Sequence, residues 1–176
     1  MIITEFKETQ RFKRLWPWLA LFVVNGILVY AIIQQVIIGK PFGNEPMSDT
    51  SLLLIELIPL GLLIFIFLIK LDTNISDEGI RYRYSPFQSA STLIEWEDLS
   101  DAYLRKYSSF YEYGGWGERV GHDKKNRAIN TSASCNVGLQ LEFKNGERLL
   151  IGTRKPQAIK EILDKLSAAG KIGWKA

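Results

Sequence analysis

The sequence predicts a membrane α-helical hairpin followed by an α+β domain, a small antiparallel β-sandwich or partly open barrel capped by one C-terminal helix. Three observations lead to this prediction: two long runs with almost no charge, a following region of short alternating segments, and an amphipathic segment near the C-terminus. The 176 residues are 47% apolar and carry a formal net charge of +3, so the chain has room for one or two small units. This composition argues against a wholly soluble domain and against a disordered chain.

The first element is an uncharged run, residues 15–38, that is long enough to cross a lipid bilayer. At about 1.5 Å per helical residue it reaches about 36 Å, which exceeds a hydrocarbon core of about 30 Å. A cleaved signal peptide is the alternative, but the run is longer than a signal-peptide core and no small-residue cleavage site follows it. Trp16, Trp18 and Arg14 have the amphipathic character of residues at headgroup level.

The second apolar run, residues 51–71, is also of spanning length, although it contains Glu56. The connecting loop, residues 39–50, has two prolines and two glycines and suits a short turn between antiparallel helices. Basic residues are concentrated at the other ends of both runs, so the positive-inside rule places both termini in the cytoplasm. We therefore expect a multi-pass protein of the cell (plasma or inner) membrane, in which residues 1–71 hold the spans and residues 72–176 form a cytoplasmic domain.

Four polar residues inside the two runs are candidates for an intramembrane role: Asn25, Gln34, Gln35 and Glu56. Because Gln34, Gln35 and Glu56 lie at about the same depth, we expect the Glu56 carboxyl group to pack against one of the two amides. A carboxyl group in lipid is costly unless it is protonated or hydrogen-bonded, so a helix-pairing contact and a functional role are both open. Asn25 lies deeper and has no polar partner at its level, which leaves open a bond to its own helix backbone or contact with another subunit in an oligomer.

Beyond residue 72 the predicted elements are short strands. Residues 79–84 alternate in character, which places Ile80, Tyr82 and Tyr84 on one face and the intervening arginines on the other. Further strands are expected at residues 74–76, 91–95 and 101–107. Many short strands of this kind are typical of a sandwich or a barrel.

The clearest local pattern is residues 139–153, in which Leu139, Leu141 and Phe143 alternate with polar residues before Asn145-Gly146. Because this pair favours a type I′ turn with two positive φ angles, it predicts a two-stranded hairpin. The following segment, from Pro156 to Ala169, is predicted to be an amphipathic helix that covers the sheet. Its apolar stripe consists of Ile159, Ile162, Leu163 and Leu166.

Three local motifs accompany this order of elements: LIEWEDL at 93–99, YGGWGER at 113–119 and IGTRKP at 151–156. Together with the two-helix hairpin and the strand pair before them, they resemble the membrane-anchored bacterial proteins with a pleckstrin-homology-like domain. The resemblance extends loosely over the whole chain. It implies a pleckstrin-homology-like fold for the cytoplasmic domain and supplies no catalytic residue.

The candidate binding region is residues 107–127, the longest stretch without clear periodicity. Five of its side chains are the predicted contacts: Trp116, Arg119, Lys124, Lys125 and Arg127. The basic residues suit anionic lipid headgroups, and the aromatic residues suit a protein or peptide partner. In the competing interpretation, the glycines form a tight bend and Trp116 fills the core of the domain.

Catalysis and cofactor binding have little support in the sequence. One cysteine and one histidine exclude a disulfide framework and a multi-Cys/His metal cage within one chain, so no cofactor and no metal are expected. Ser132, Ser134 and Cys135 could serve as nucleophiles, but His122 is the only imidazole, and no enzymatic activity is expected. Nucleic acid is not an expected partner, because no continuous basic stripe is interleaved with aromatic residues.

Two functions remain compatible with the sequence. In the first, a cytoplasmic interaction domain anchored in the lipid bilayer binds a protein, a peptide or a lipid headgroup. In the second, the chain is an accessory subunit of a larger envelope or transport complex, and its membrane helices make the decisive contacts with another membrane protein.

Overall fold

The computed structural model describes residues 5–12, 15–131 and 136–170. These residues divide into two compact units. Residues 15–68 form a helical unit, and residues 5–12, 69–131 and 136–170 form a β-rich unit.

Two apolar helices make up the helical unit. Helix α1 is Leu15–Ile32 and continues into a π-helical turn, Ile33–Ile37, and α2 is Asp49–Leu68. The helices pack against each other and leave most of their large apolar side chains exposed. By length and composition, the stretches Leu15–Ile37 and Asp49–Leu68 could each cross a membrane.

The second helix ends earlier than the sequence pattern predicts. The apolar run extends to residue 71, whereas α2 ends at Leu68 and a strand begins at Lys70. Leu71 is fully buried in the β-rich unit, in the main apolar cluster. Apolar residues are found both in protein cores and in membrane spans. The apolar run alone therefore does not show where the span ends and the buried strand begins.

The β-rich unit contains two sheets. The first, sheet A, has the order β1-β2-β3-β4, and all its pairs are antiparallel. Its strands are β1 Phe6–Arg11, β2 Lys70–Ile75, β3 Gly79–Ser85 and β4 Thr92–Glu95. As predicted, the alternation in β3 buries Ile80, Tyr82 and Tyr84.

The second sheet, sheet B, follows a 3₁₀ turn at Trp96–Asp98 and has the order β5-β8-β9-β7-β6. Its strands are β5 Leu99–Lys106, β6 Gly117–Val120, β7 Asn126–Asn130, β8 Val137–Phe143 and β9 Arg148–Thr153. Among the described strands, β7 and β9 are the one parallel pair. The arrangement is therefore mostly antiparallel, and the predicted α+β class is confirmed at that level.

Two helices complete the β-rich unit: the short α3, Ser109–Tyr113, and the C-terminal α4, Pro156–Ala168. The predicted apolar stripe of α4 is buried and joins the core residues of both sheets in one cluster. The prediction of a C-terminal helix that covers the sheets is confirmed.

Strand β1 is an element that the sequence patterns do not predict. The sequence pattern predicts that residues 1–71 belong with the spans, but in the structure β1 pairs with β2, with Arg11 opposite Lys70. In the order of the chain, the two apolar helices therefore come between two strands that are paired with each other in one sheet. The pattern is hidden because Glu8 and Gln10 occupy buried positions in β1, where a half-buried strand usually has apolar residues.

The hairpin of β8 and β9 is present, but its turn is not the predicted type I′. Gly146 has a φ of +82°, whereas none of the described non-glycine residues, Asn145 included, has a positive φ. The Gly146 N–H donates to the Phe143 carbonyl at 2.9 Å, and the Phe143 N–H donates to the Glu147 carbonyl at 2.9 Å. These bonds define a three-residue loop in which a type I turn is followed by a left-handed glycine.

The insertion of the helices into a β-hairpin allows a direct test of the domain boundary. We predict that a chain in which Asn-Gly replaces residues 13–68 is soluble and folds, because the Arg11–Lys70 pair then continues into a two-residue hairpin loop. Urea unfolding followed by circular dichroism should show one cooperative transition.

The matched comparison is the fragment of residues 72–176, which lacks β1 and the start of β2. It loses the buried Phe6 ring, and that loss alone costs about 3 kcal/mol. Equal stability of the two proteins would contradict the assignment of β1 to the β-rich unit.

Candidate functional site

The predicted binding residues divide between the two ends of one hairpin. Trp116 immediately precedes β6, whereas Lys124 and Lys125 lie in the turn between β6 and β7 and are exposed. The four residues of β6 separate these groups by about 10 Å at about 3.3 Å per residue. The structure therefore does not bring Trp116 and the two lysines into one site.

The two predicted arginines lie on opposite faces of sheet B. Arg119 of β6 is paired with Ala128 of β7, and Arg127 immediately precedes Ala128 in β7. Because successive strand residues face opposite ways, Arg127 lies on the face opposite Arg119. The Arg119 Nε donates to the Trp116 carbonyl at 2.9 Å. Arg119 thus belongs with the Trp116 end of the hairpin, and Arg127 does not.

Arg127 lines a cleft of about 400 Å³ between β4 and the β8–β9 turn. The charged side chains of this cleft are of both signs: Arg127, Lys144, Asp98 and Glu147. Two cations and two carboxylates leave no excess of either charge, so the cleft has no evident preference for a phosphate group.

Trp116 lies outside both buried apolar clusters described for the domain. It is half-buried, and its ring packs edge-on against Phe12, at a centroid distance of 6.0 Å, and against Phe110, at 5.2 Å. A sharp bend leads to this position, because Gly114, Gly115 and Gly117 all have positive φ angles. The glycines therefore have a structural role, as the competing interpretation proposed, but Trp116 is not a core residue of these clusters.

Several aromatic side chains around Trp116 are strongly exposed. Tyr111 is 86% exposed, Phe110 is 57% exposed and Phe87 is 59% exposed. Phe87 joins this group through Tyr84, on which it stacks at 5.2 Å, and the Tyr84 hydroxyl lies close to Gly117. The aromatic patch, as we call it, consists of Phe12, Phe87, Phe110, Tyr111 and Trp116.

Helix α3 holds two of these rings in place on sheet B. The Glu112 carboxylate accepts a hydrogen bond from the Ser108 N–H at 2.8 Å and one from Arg105 at 2.7 Å. Arg105 also donates to the Tyr113 hydroxyl at 2.9 Å and to Gln140 at 2.9 Å. The buried side of α3 is thereby fixed, and Phe110 and Tyr111 remain on its exposed side.

The aromatic patch extends from one end of sheet A. Arg11, Lys70 and Ser85 form the last paired row of β1, β2 and β3, and Phe12 and Phe87 follow this row in sequence. Both chain connections to the helical unit leave the sheet from the same row. This position depends on the pairing of β1, which the sequence patterns do not reveal.

A second feature, which the sequence patterns revealed only for Arg81 and Arg83, is the basic outer face of sheet A. Alternation in the first three strands directs five cationic side chains outward: Lys7, Arg11, Lys70, Arg81 and Arg83. Asp72 lies among them and accepts hydrogen bonds from Thr9 at 2.7 Å and from Arg83 at 3.2 Å. Partial burial raises the pKa of Asp72, but the bonds from Thr9, Lys70 and Arg83 outweigh it and hold the pKa below 3.8.

The predicted pairing of Glu56 with the two glutamines is not formed. Gln34 donates to the Tyr30 hydroxyl at 3.0 Å, and Gln35 fastens the connecting loop by donating to the Met47 carbonyl and to Asp49, both at 2.7 Å. Both amides have partners near the end of α1, so neither is used by Glu56.

Glu56 and Asn25 are the buried polar residues of the two helices in the described chain, at 8% and 9% exposure. The Asn25 amide donates to the Leu21 carbonyl one turn earlier, at 2.6 Å. Its carbonyl oxygen and one Glu56 oxygen have no hydrogen-bond partner among the described residues. Asn25 thus bonds to its own helix backbone and still retains an unused acceptor.

Some of the candidate residues named from the sequence lie outside the described residues. These are Ser132, Ser134 and Cys135, together with the basic residues Lys13 and Arg14. Within the described ranges, no group of three or more His, Cys, Asp or Glu side chains could hold a metal ion.

The geometry defines a mostly antiparallel α+β unit with an exposed aromatic patch and a basic sheet face, joined to two apolar helices. No protein-family model matches the sequence, and no curated protein matches it. The resemblance to pleckstrin-homology-like proteins consequently remains a prediction.

The ion-pair geometry of Asp72 predicts a pH-dependent contribution to stability. Because the pKa in the folded state is lower than 3.8, Asp72 stabilises the fold above about pH 3.8 and loses this effect as the pH falls through the folded-state pKa. Asp72→Asn should therefore lower the urea concentration at the midpoint of unfolding at neutral pH. The difference from the unaltered chain should become smaller in strong acid.

The control is Asp77→Asn, since Asp77 is exposed in the turn between β2 and β3. This variant should show little change at either pH. A deficit of Asp72→Asn that is constant across the pH series would contradict the assigned ion-pair role.

Proposed function

We propose that this chain is a membrane-anchored interaction protein. In this proposal α1 and α2 cross the cytoplasmic membrane, and the β-rich unit is a pleckstrin-homology-like binding domain on the cytoplasmic side. The observation that carries the proposal is the pairing of β1 with β2, which places the chain before α1 and the chain after α2 side by side in one sheet. No catalytic step is part of the proposal.

The surface of the helices supports an environment of lipid. Most of the large apolar side chains of α1 and α2 are exposed, Leu15 and Ile58 among them. Exposed apolar surface costs about 25 cal/mol per Å² in water, whereas lipid tails solvate it without this cost. Helical hydrogen bonds satisfy most backbone groups within each element, as a membrane span requires, although Pro59 inside α2 has no N–H to donate.

The β1–β2 pairing also constrains the topology. Because Arg11 and Lys70 are neighbours in one sheet, a membrane that both helices cross has the start of α1 and the end of α2 on the same side. Only residues 12–14 connect β1 to α1, and only Ile69 connects α2 to β2. Such short connections hold the domain close to the membrane.

Charge supports the cytoplasmic side for the domain. The sequence flanking the spans contains Arg11, Lys13, Arg14 and Lys70, whereas the connecting loop contains Lys40 and acidic residues. Under the positive-inside rule the side with more Lys and Arg is cytoplasmic. The basic outer face of sheet A and the aromatic patch are then both available to cytoplasmic partners, such as a lipid headgroup, a peptide or a protein.

Cysteine labelling tests this topology in the Cys135→Ser background. We predict that a cysteine at Ser48 reacts with a membrane-impermeant maleimide only from outside the cell, and that a cysteine at Asp77 reacts only in inverted vesicles. Both positions are exposed, so accessibility depends on the side of the membrane. Labelling of both cysteines from one side would contradict the proposal.

The buried polar groups of the helices favour a second candidate function, in which the chain is an accessory subunit of an envelope or transport complex. Glu56 and Asn25 each retain an unused acceptor atom, which a donor from another membrane protein would satisfy. Polar residues inside membranes often mark such contacts.

Glu56→Gln distinguishes the two candidate functions. An anchor needs no charge at this position, so we predict unchanged insertion and unchanged co-purifying proteins for the variant, measured by quantitative affinity purification. Glu45→Gln in the exposed loop is the matched control. Loss of a membrane partner by Glu56→Gln alone, with insertion intact, would favour the accessory-subunit function.

A further inference from the structure

We propose that the aromatic patch is a second membrane contact, which inserts its exposed rings into the interfacial layer of the bilayer that α1 and α2 cross. This inference rests on the proposed function and names the lipid interface as the partner of this surface. The patch, as defined above, is Phe12, Phe87, Phe110, Tyr111 and Trp116.

The first argument is that three of the rings form one contact group and that the other two are joined to it through neighbouring residues. Trp116 contacts both Phe12 and Phe110, and Tyr111 follows Phe110 on the same exposed side of α3. Phe87 reaches the group through its stack on Tyr84. Scattered exposed apolar residues need no explanation, whereas a contiguous group of this kind marks an interaction site.

The second argument concerns the occupant, and it comes from chain length. Phe12 precedes Leu15, the first residue of α1, by three residues, and three residues span at most about 11 Å. A lipid surface that contains the start of α1 therefore lies within reach of the patch. A protein partner would have to enter this same narrow zone, which makes the bilayer the occupant that the connections favour.

The chemistry of the patch suits an interface rather than the hydrocarbon centre. Tyr and Trp rings combine an apolar body with a polar group and concentrate where lipid tails meet headgroups. Arg11 and Arg119, which are exposed near the rings, are positioned to face lipid phosphates. Glu118 is exposed and precedes Arg119 in β6, but successive strand residues face opposite ways, so its carboxylate does not lie on the Arg119 face.

The third argument is that α3 is fixed before any contact is made. The bonds of Arg105 to Glu112 and Tyr113 hold the buried side of the helix, so exposure of Phe110 and Tyr111 requires no rearrangement. Lys124 and Lys125 lie at the other end of the β6–β7 hairpin. We therefore assign the lipid contact to the end of the hairpin near Trp116. The turn that contains Lys124 and Lys125 should remain exposed to water.

Spin labels on the full chain in phosphatidylcholine vesicles test the inference, again in the Cys135→Ser background. Single cysteines are placed at Tyr111 in the patch, at Val120 at the far end of β6, and at Ile58 in the middle of α2. Val120 is a matched control because it is apolar and 55% exposed. For each spin label we compare its rate of collision with oxygen, which concentrates in lipid, and its rate of collision with a water-soluble nickel complex. The readout is the first rate divided by the second.

We expect the highest ratio at position 58 and a ratio at 111 that is several-fold above that at 120. The difference between 111 and 120 should appear in these vesicles although they contain no anionic lipid, since ring insertion needs no net lipid charge. A lipid-like ratio at 58 with equal ratios at 111 and 120 would overturn this inference and leave the proposed function intact. A water-like ratio at 58 would overturn the proposed function itself.

Hydroxyl-radical footprinting of the unaltered chain gives an independent result that needs no substitution. Tyr111 and His122 are both exposed and both react readily with the radical. In lipid nanodiscs, Tyr111 should be oxidised several-fold more slowly than His122, after correction for intrinsic reactivity. Equal corrected rates would overturn the lipid contact, as would protection of Tyr111 that depends on phosphatidylglycerol, because the contact would then be electrostatic.

Discussion

The attachment of β1 to the rest of the β-rich unit is the constraint on which the account of this chain depends. Two buried polar side chains secure it. The Glu8 carboxylate accepts hydrogen bonds from the Thr153 hydroxyl at 2.7 Å and from the Arg154 N–H at 3.0 Å. Because a buried carboxylate is costly without partners, β1 is favoured in the one position where Glu8 reaches these two donors at the end of β9.

Gln10 has a related role at the place where two strands of sheet B separate. The β7–β9 ladder ends at the pair of Ile129 and Ile151, which leaves the next carbonyl of β9 without a neighbouring strand on that side. The Gln10 amide donates to that carbonyl, on Gly152, at 2.6 Å, and its oxygen accepts from Thr131 at 3.3 Å. A polar strand residue thus completes the hydrogen bonding of the opposite sheet.

The functional proposals follow from this attachment. With β1 in the sheet, both connections to the helical unit leave from the row of Arg11 and Lys70, and the aromatic patch begins one residue beyond it at Phe12. If β1 were an independent N-terminal tail, Phe12 would not lie beside Trp116, and the exposed rings would have no fixed relation to the start of α1. The proposed anchoring and the proposed lipid contact therefore both depend on one strand pairing.

The sequence is sufficient to predict an element and its buried face where the pattern of side chains within that element determines them. The 3.6-residue period of Ile159, Ile162 and Leu163 predicts α4, and the alternation of Tyr82 and Tyr84 predicts the buried face of β3, because in each case the partners share the same apolar requirement. Pattern and burial agree in both elements.

The sequence is insufficient where burial depends on distant polar partners. Glu8 is bonded to Thr153, 145 residues away, so FKETQR has no local signal of a buried face. For a related reason, the sequence does not reveal that the predicted binding residues lie at two ends of one hairpin. Glu118 and Arg119 interrupt the apolar alternation of β6, which conceals the hairpin that separates Trp116 from Lys124 and Lys125.

Amide hydrogen exchange of residues 6–11 in the full chain, reconstituted in lipid nanodiscs, tests the central claim most directly. We expect the β1 amides directed toward β2 to exchange as slowly as their paired amides in residues 70–75, because both belong to one hydrogen-bonded ladder. Exchange of every β1 amide at the rate of an unstructured chain, with β2 and β3 still protected, would contradict it.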